Sequence, residues 1–425
     1  MKKFYNFQNL HIPLFFFPLT FILGVAVAEI FSLIFLFFLV FNFNQRKNFF
    51  DKKIIILTLF SMYIAFNAMF QITDDLKYSS FFHLRYLLFS LAIFLFFEKS
   101  LNENFNEKIV YTFLFALFIL LFDSFFQFIF GFNVLGNEII AQRISSFFGD
   151  ELILGSYLVR VLPILIWYIY YFKINLNEKK LLYIFFFAAY FSVIYLSGER
   201  TSIALFLIFF FFTIVFFIEL RKLFIRSFII FLVFIVSTIF FDYGKSNVTH
   251  RVFNKTYQQI FQDEKKDDVN EVVINTSERS KIKIFSTDHQ GHLILAKKLF
   301  LDNLVFGAGP KGFRHYCRKI NYNSEVGICS THPHNIIAQI SSELGIIGII
   351  FFSIFFIYLI KRFFDIIFVK TKNNHHYAFL VASLGIFINL FPFLPSGNFF
   401  NNWISLFIYF NLGLYLVSNK KIKSK

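Results

Sequence analysis

The chain has 425 residues, 57% of them hydrophobic and only 16% charged, with a formal net charge of +15. A soluble fold of this length has too little interior to hide that much apolar surface, so composition excludes an ordinary globular enzyme and points to repeated membrane-spanning helices. The 74 Phe, beside abundant Lys, Asn and Ile, read as nucleotide bias and carry no functional weight.

In chain order, apolar runs predict helices near 12–27, 28–43, 54–71, 80–97, 109–131, 152–172, 181–197, 201–218, 226–241, 334–360, 377–394 and 402–417. This describes an all-α polytopic membrane protein with about 12 transmembrane helices. With a cytoplasmic N-terminus, the inside segments hold 22 Lys and Arg, while the short outside segments hold only Lys77, Arg143 and Arg200. That asymmetry follows the positive-inside rule and places both termini in the cytoplasm. The basic charge is therefore a topology signal, and no nucleic-acid partner is expected. Residues 11–41 admit one long helix or two short ones meeting near Glu29, and Ala26-Val27-Ala28 resembles a signal-peptidase site. Cleavage there would leave too few apolar residues to span comfortably, so an uncleaved helical pair is the expectation.

Three regions follow: helices over 1–241, one large outer (periplasmic) loop over 242–333, and C-terminal helices over 334–425. Within the loop, "DEKKDDVNE" at 263–271 reads as a solvated surface. Residues 292–313 differ: Leu293, Leu295, Ala296, Leu299 and Phe300 predict an amphipathic helix, at the membrane interface or packed on the bundle. Cys317 and Cys329 both fall in this loop, where an oxidising compartment favours a disulfide over two free thiols. With His332 and His334 they match no zinc spacing, so no metal is expected.

Polar chemistry gathers at the outer ends of the helices. In "THPHNIIAQISSELGIIG", 331–348, Thr331 is a candidate N-cap with Pro333 in the first turn. His334 then sits at the helix mouth, where the positive end of the helix dipole keeps an imidazole neutral and able to accept a proton. A histidine that merely anchors at the interface is the alternative. On helical spacing His332 would lie about 200° away, and Glu343 would face the opposite side about 13 Å deeper. A carboxylate at that depth needs a partner, and Arg160 in "ELILGSYLVRVLP" lies at similar depth, which predicts a Glu343–Arg160 pair.

In "YLSGERTSIALF", 195–206, Arg200 occupies an outer turn against the charge rule, as expected of an anion ligand or of an arginine reaching lipid phosphates. "FGAGPKGFRHYC", 306–317, adds Lys311 and Arg314 to a Gly-rich turn that lacks P-loop spacing. Arg143 adds a further outer cation. A basic outer face with a candidate base and no nucleotide machinery points to a lipid-linked, diphosphate-activated substrate.

Together "SGERT", "FGAGPKGFR", "THPHNIIAQISSELGIIG" and "RISSFFGDELILGSYL" resemble blocks of the O-antigen ligase/O-antigen polymerase superfamily of bacterial membrane glycosyltransferases. The resemblance implies transfer of a glycan from undecaprenyl diphosphate to a sugar hydroxyl of lipid A-core or of another glycan, without cofactor or metal. It places the active site on the periplasmic face of the inner membrane, in contact with membrane lipids. By motif position His334, before Asn335, is the implied base, and Arg200 the implied diphosphate ligand. Arg314 and Arg279 are candidates for a second family arginine, with His289 or His292 as alternatives in that region. The ligase reading is preferred over a polymerase because the single dominant loop with "HPHN" at its end fits that branch, and both are preferred over a transporter or flippase because polar groups cluster at the outer mouth and no internal repeat is visible.

Overall fold

The computed structural model describes residues 11–41, 52–70, 80–99, 103–241, 244–261, 287–321 and 329–423. The described residues are mostly helical, as the membrane-spanning part of a chain must be to satisfy its backbone groups internally. The first helices are α1 (His11–Thr20), α2 (Val25–Phe41), α3 (Lys52–Met69), α4 (Leu84–Lys99) and α5 (Glu103–Phe130). Next come α6 (Leu154–Tyr171), α7 (Lys180–Leu196), α8 (Arg200–Phe216), α9 (Ile218–Phe241) and the short α10 (Lys255–Phe261). The remainder comprises α11 (Thr287–Asp302), α12 (Gly312–Asn321), α13 (Ile336–Ile367), α14 (Asn374–Asn389) and α15 (Asn402–Lys423).

Four of these helices, within α5, α6, α9 and α13, are long and apolar enough to cross a membrane, and shorter apolar helices accompany them. Residues 11–41 form two helices, as expected, but the break falls at Gly24 (φ +116°) and not near Glu29. Glu29 lies inside α2 and pairs with Arg85 of α4 at 3.2 Å.

Helix α6 is the hub. Apart from Ser156 and Arg160 near its start it is largely apolar, and it is almost wholly buried, packed against α7, α8, α14 and α15, as expected of a helix with no lipid face. The peripheral helices expose apolar stripes at helical spacing: Phe115, Phe118 and Phe122 on α5, Ile229, Val233, Val236 and Phe240 on α9, Ile350, Ile354 and Ile357 on α13. Patches of this extent mark a membrane-facing surface.

Two features of the 287–348 region position the site. The amphipathic helix α11 turns Leu295, Ala296 and Leu299 into a small core of its own with Ala308, Phe313 and Cys317. Cys317 and Cys329 are joined there, with Cα atoms 5.6 Å apart.

The second feature is a break in α13 at Gly345 (φ +65°, ψ −163°). The freed backbone groups are taken up by the segment after α11. Ala308 N donates to Ser342 O, Gly309 N to Glu343 O, and Ile346 N to Leu304 O, each at 2.9 Å. Tyr63 of α3 closes the junction by donating to Leu344 O at 2.7 Å. An interrupted helix inside a membrane bundle persists only where such partners exist.

Candidate functional site

Helix α13 does not begin at Thr331. Asn335 is its N-cap, its Oδ1 accepting from Ala338 N at 3.0 Å while its Nδ2 donates to Pro392 O at 2.8 Å. His332, Pro333 and His334 therefore precede the helix, and His334 adopts a left-handed backbone (φ +53°). The helical spacing that would separate the two imidazoles does not apply, and their ring centroids lie 4.0 Å apart.

His289 and His292 of α11 complete a four-histidine group, at 5.2 and 5.3 Å from the His334 ring. His334 Nε2 shares a hydrogen bond with Ser330 Oγ at 2.9 Å. His332 is held at both nitrogens, by Thr331 Oγ1 at 3.0 Å and Ser396 O at 3.1 Å. The loop between α14 and α15 is thus a wall of the site, fixed also by Ser396 N donating to His334 O at 2.8 Å.

Burial, then the neighbouring imidazoles, push the His334 pKa down to about 3. Burial pushes His332 down to about 4, against the opposing bond to Ser396 and with help from His292, Arg314 and His289. Both rings are neutral at pH 7. In the unfolded chain each titrates near 6.5, so the unfolded state binds more protons between pH 6.5 and about 3 to 4. Stability of this turn is full above pH 6.5 and is lost as pH falls through that window. Hydrogen-exchange protection of 329–335 is expected to drop on acidification from pH 7 to 5; protection unchanged over that range would contradict the neutral assignment.

Beside the histidines lies a basic patch. Lys311, in a left-handed turn (φ +65°), is followed by α12, which starts with Gly312 and carries Arg314. Burial lowers the Lys311 pKa, and Arg314 and Arg85 lower it further. Those three cations therefore share one neighbourhood, and Arg314 also acts on His332. The expected helix over 80–97 would bury Arg85 in its first turns; α4 begins at Leu84, which puts Arg85 at its mouth.

Glu343 and Arg160 do not pair. Glu343 Oε1 accepts from Phe313 N at 3.1 Å, capping α12, and Oε2 accepts from Gln339 Nε2 at 2.9 Å. Arg160 donates to Ser156 O at 2.8 Å and lies over the Trp403 ring at 5.1 Å. The carboxylate found backbone N–H groups of an incoming helix, which satisfy it as a cation would.

A second cluster surrounds the 197–200 turn. Glu199 accepts from Gly155 N at 2.9 Å and Ser156 N at 3.1 Å, capping α6, and pairs with Arg143 at 3.3 Å. Arg143 Nε donates to Ser197 O and Arg251 Nε to Gly198 O, both at 3.2 Å. Arg200 opens α8 and reaches Thr256 Oγ1 at 3.3 Å.

The two clusters are linked through α6 and the α14–α15 loop. Arg160 contacts Trp403, Asn398 Oδ1 accepts from Gln339 Nε2 at 2.7 Å, and Gln339 holds Glu343. Both therefore lie at one end of the bundle. Arg279 lies outside the described residues. Among the described residues no group of three or more His, Cys, Asp or Glu has a metal-holding arrangement.

Replacing Glu199 by alanine uncaps α6 and leaves Arg143 in a largely buried site without its carboxylate, a loss of about 3 kcal/mol. The expected readout is a clear fall in Tm of the purified protein, partly restored by adding Arg143→Leu. An unchanged Tm for the single variant would contradict the capping role.

No curated protein matches the chain. Residues 183–353, from α7 to the first half of α13 and including both "SGERT" and "THPHN", match the family model described as O-antigen ligase. That stretch carries the four histidines, Lys311, Arg314 and the 197–200 turn, so the part of the chain that bears both clusters is similar to O-antigen ligase.

Proposed function

We propose that the chain is an O-antigen ligase-type glycosyltransferase that moves a glycan from undecaprenyl diphosphate to a hydroxyl of lipid A-core. The clustered end of the bundle faces the periplasm, both termini are cytoplasmic, and about twelve helices span the inner membrane. The charge asymmetry supports this orientation: Lys420 with Glu98, Arg362 and Lys372 crowd the opposite end.

The observation that carries the reading is the neutral His334, its ring 4.0 Å from the His332 ring on which Arg314 acts, inside the stretch matched to O-antigen ligase. The cations hold the diphosphate. The acceptor hydroxyl gives its proton to the imidazole as its oxygen bonds to the anomeric carbon. The carbon–oxygen bond to the diphosphate breaks, and undecaprenyl diphosphate leaves with the electron pair. The leaving group stores the energy, so no nucleotide is consumed.

An imidazole with a pKa near 3 is a weak base. A diphosphate bound nearby raises it toward neutrality, since an opposite charge favours imidazolium. Proton acceptance is thereby tied to donor occupancy.

Lipopolysaccharide from a deletion strain tests the assignment. Loss of all attached O-chain supports a ligase; chains of one repeat unit would replace it by a polymerase using the same base and donor; unaltered surface glycans would reject both.

A further inference from the structure

The bond of 2.9 Å between His334 Nε2 and Ser330 Oγ is the only hydrogen bond that this ring makes among the described residues. His332, the nearest imidazole with its centroid at 4.0 Å, has both nitrogens committed to Thr331 and Ser396. His334 is half-buried, so Nδ1 is the nitrogen left for an incoming hydroxyl. A neutral imidazole carries one N–H and one lone pair. Were Ser330 to donate to Nε2, the ring proton would sit on Nδ1 and no lone pair would meet the acceptor. With Ser330 accepting from Nε2–H, Nδ1 carries the lone pair that a base needs.

Ser330 and His334 are held by different elements. The neighbour of Ser330, Cys329, is joined to Cys317, which is buried in the small core with Leu295, Leu299 and Phe313. The start of α12 is tied in turn to α13 through Phe313 N and Glu343 Oε1 at 3.1 Å. His334 is fixed instead by the α14–α15 loop: Ser396 N donates to its carbonyl and Asn335 Nδ2 to Pro392 O, both at 2.8 Å. The Ser330–His334 bond therefore spans two separately anchored segments, and the bridge sets the place of one of them.

We infer that Ser330 is the positioning residue of the base: it accepts from Nε2–H, keeps Nδ1 unprotonated, and depends on the Cys317–Cys329 bridge for its place. The proton of the acceptor hydroxyl goes to Nδ1. The imidazolium so formed keeps its Nε2–H bond to Ser330, which is then charge-assisted and stronger. Catalytic bases are commonly oriented by a third group in this way. The inference rests on the glycan-transfer reading above, and names which nitrogen acts and what aims it. It also makes transfer depend on an oxidising compartment, where such bridges persist.

Nitrogen-15 NMR of histidine-labelled protein in nanodiscs reads the tautomer without turnover, with His334→Asn identifying the resonances. At pH 7 the ring should show protonated Nε2 and unprotonated Nδ1 as a single form. Ser330→Ala, at a half-buried position, should give a mixture of both tautomers. The Nδ1–H form in wild type, or identical spectra in wild type and Ser330→Ala, overturns the inference whatever becomes of the transfer reading.

Kinetics supply the second arm. Ser330→Ala should lower kcat at least ~10-fold, a part of what a general base contributes, with donor KM within about two-fold of wild type. Ser330→Thr keeps a hydroxyl and should restore most of the loss. Dithiothreitol becomes a cyclic disulfide as the bridge becomes two thiols. It should lower wild-type kcat by a similar factor and that of Ser330→Ala far less, with the size-exclusion profile unchanged. A loss confined to KM, no rescue by threonine, or unchanged kcat in the reduced protein contradicts the assignment.

Discussion

Replacing His334 by alanine or asparagine is expected to lower glycan transfer by roughly 10²–10⁴-fold, the usual contribution of a positioned general base. Asparagine is the cleaner variant. The left-handed backbone at 334 suits His and Asn and disfavours most other residues, so asparagine keeps the turn while removing the base. The backbone bond from Ser396 N to His334 O survives both changes. The loss should appear in kcat with donor KM nearly unchanged if, as proposed, the cations and not the imidazole hold the diphosphate.

The pH profile carries an independent sign. Protonation of His334 abolishes base function, so activity falls as pH drops through its pKa. For the free protein that pKa is about 3, and kcat/KM should show no acid limb near 6.5. Since donor occupancy raises it, the acid limb of kcat should lie at higher pH than that of kcat/KM. Coincident limbs at 6.5 would contradict both the burial and the coupling.

The second large effect is structural. Gly307→Ala should abolish accumulation of folded protein. Gly307 has φ +74°, and a Cβ there would lie under 3.0 Å from the Glu343 carbonyl and Leu344 N. Those atoms are backbone of the interrupted helix and cannot rotate away. Yielding would separate the 304–309 segment from α13, breaking the bonds to Ser342, Glu343 and Leu304 that satisfy the break at Gly345. Buried backbone groups without partners cost more than most membrane domains can lose. Gly24→Ala is the control: its backbone (φ +116°, ψ +154°) is also one that favours glycine, but a Cβ would meet nothing within 4 Å, so only backbone strain of about 1–3 kcal/mol is expected. Size-exclusion profiles of tagged variants distinguish the two, and equal monodisperse yields would refute the account of the break.

What the sequence could reveal followed period and composition. Apolar runs located the long helices, with ends off by as much as eight residues at α9 (226 expected, Ile218 observed), and "SGERT" and "THPHN" marked both clusters. Four things escaped, two because they depend on long-range contacts and two because a helix boundary lies a few residues from its expected place. Glu343 meets α12 and not Arg160, since backbone N–H groups at a helix start are invisible to a search for charge partners. His332 and His334 converge because the helix starts at Asn335, a boundary shift of only a few residues. Arg85 was hidden inside a span drawn too long. The α14–α15 loop, "FPFLPSGNFFNN" at 391–402, had a readable signal in its prolines, glycine and asparagines, but nothing local announced that Ser396 and Asn398 would reach His332 and Gln339.

A density map of the protein with an undecaprenyl-diphosphate-linked oligosaccharide bound would decide where the donor sits. The diphosphate is expected at the histidine-bearing end of the bundle, within hydrogen-bond reach of Lys311 or Arg314, with the anomeric carbon facing the His334 ring. A diphosphate seated at the opposite end, beside Glu98 and Lys420, would contradict it.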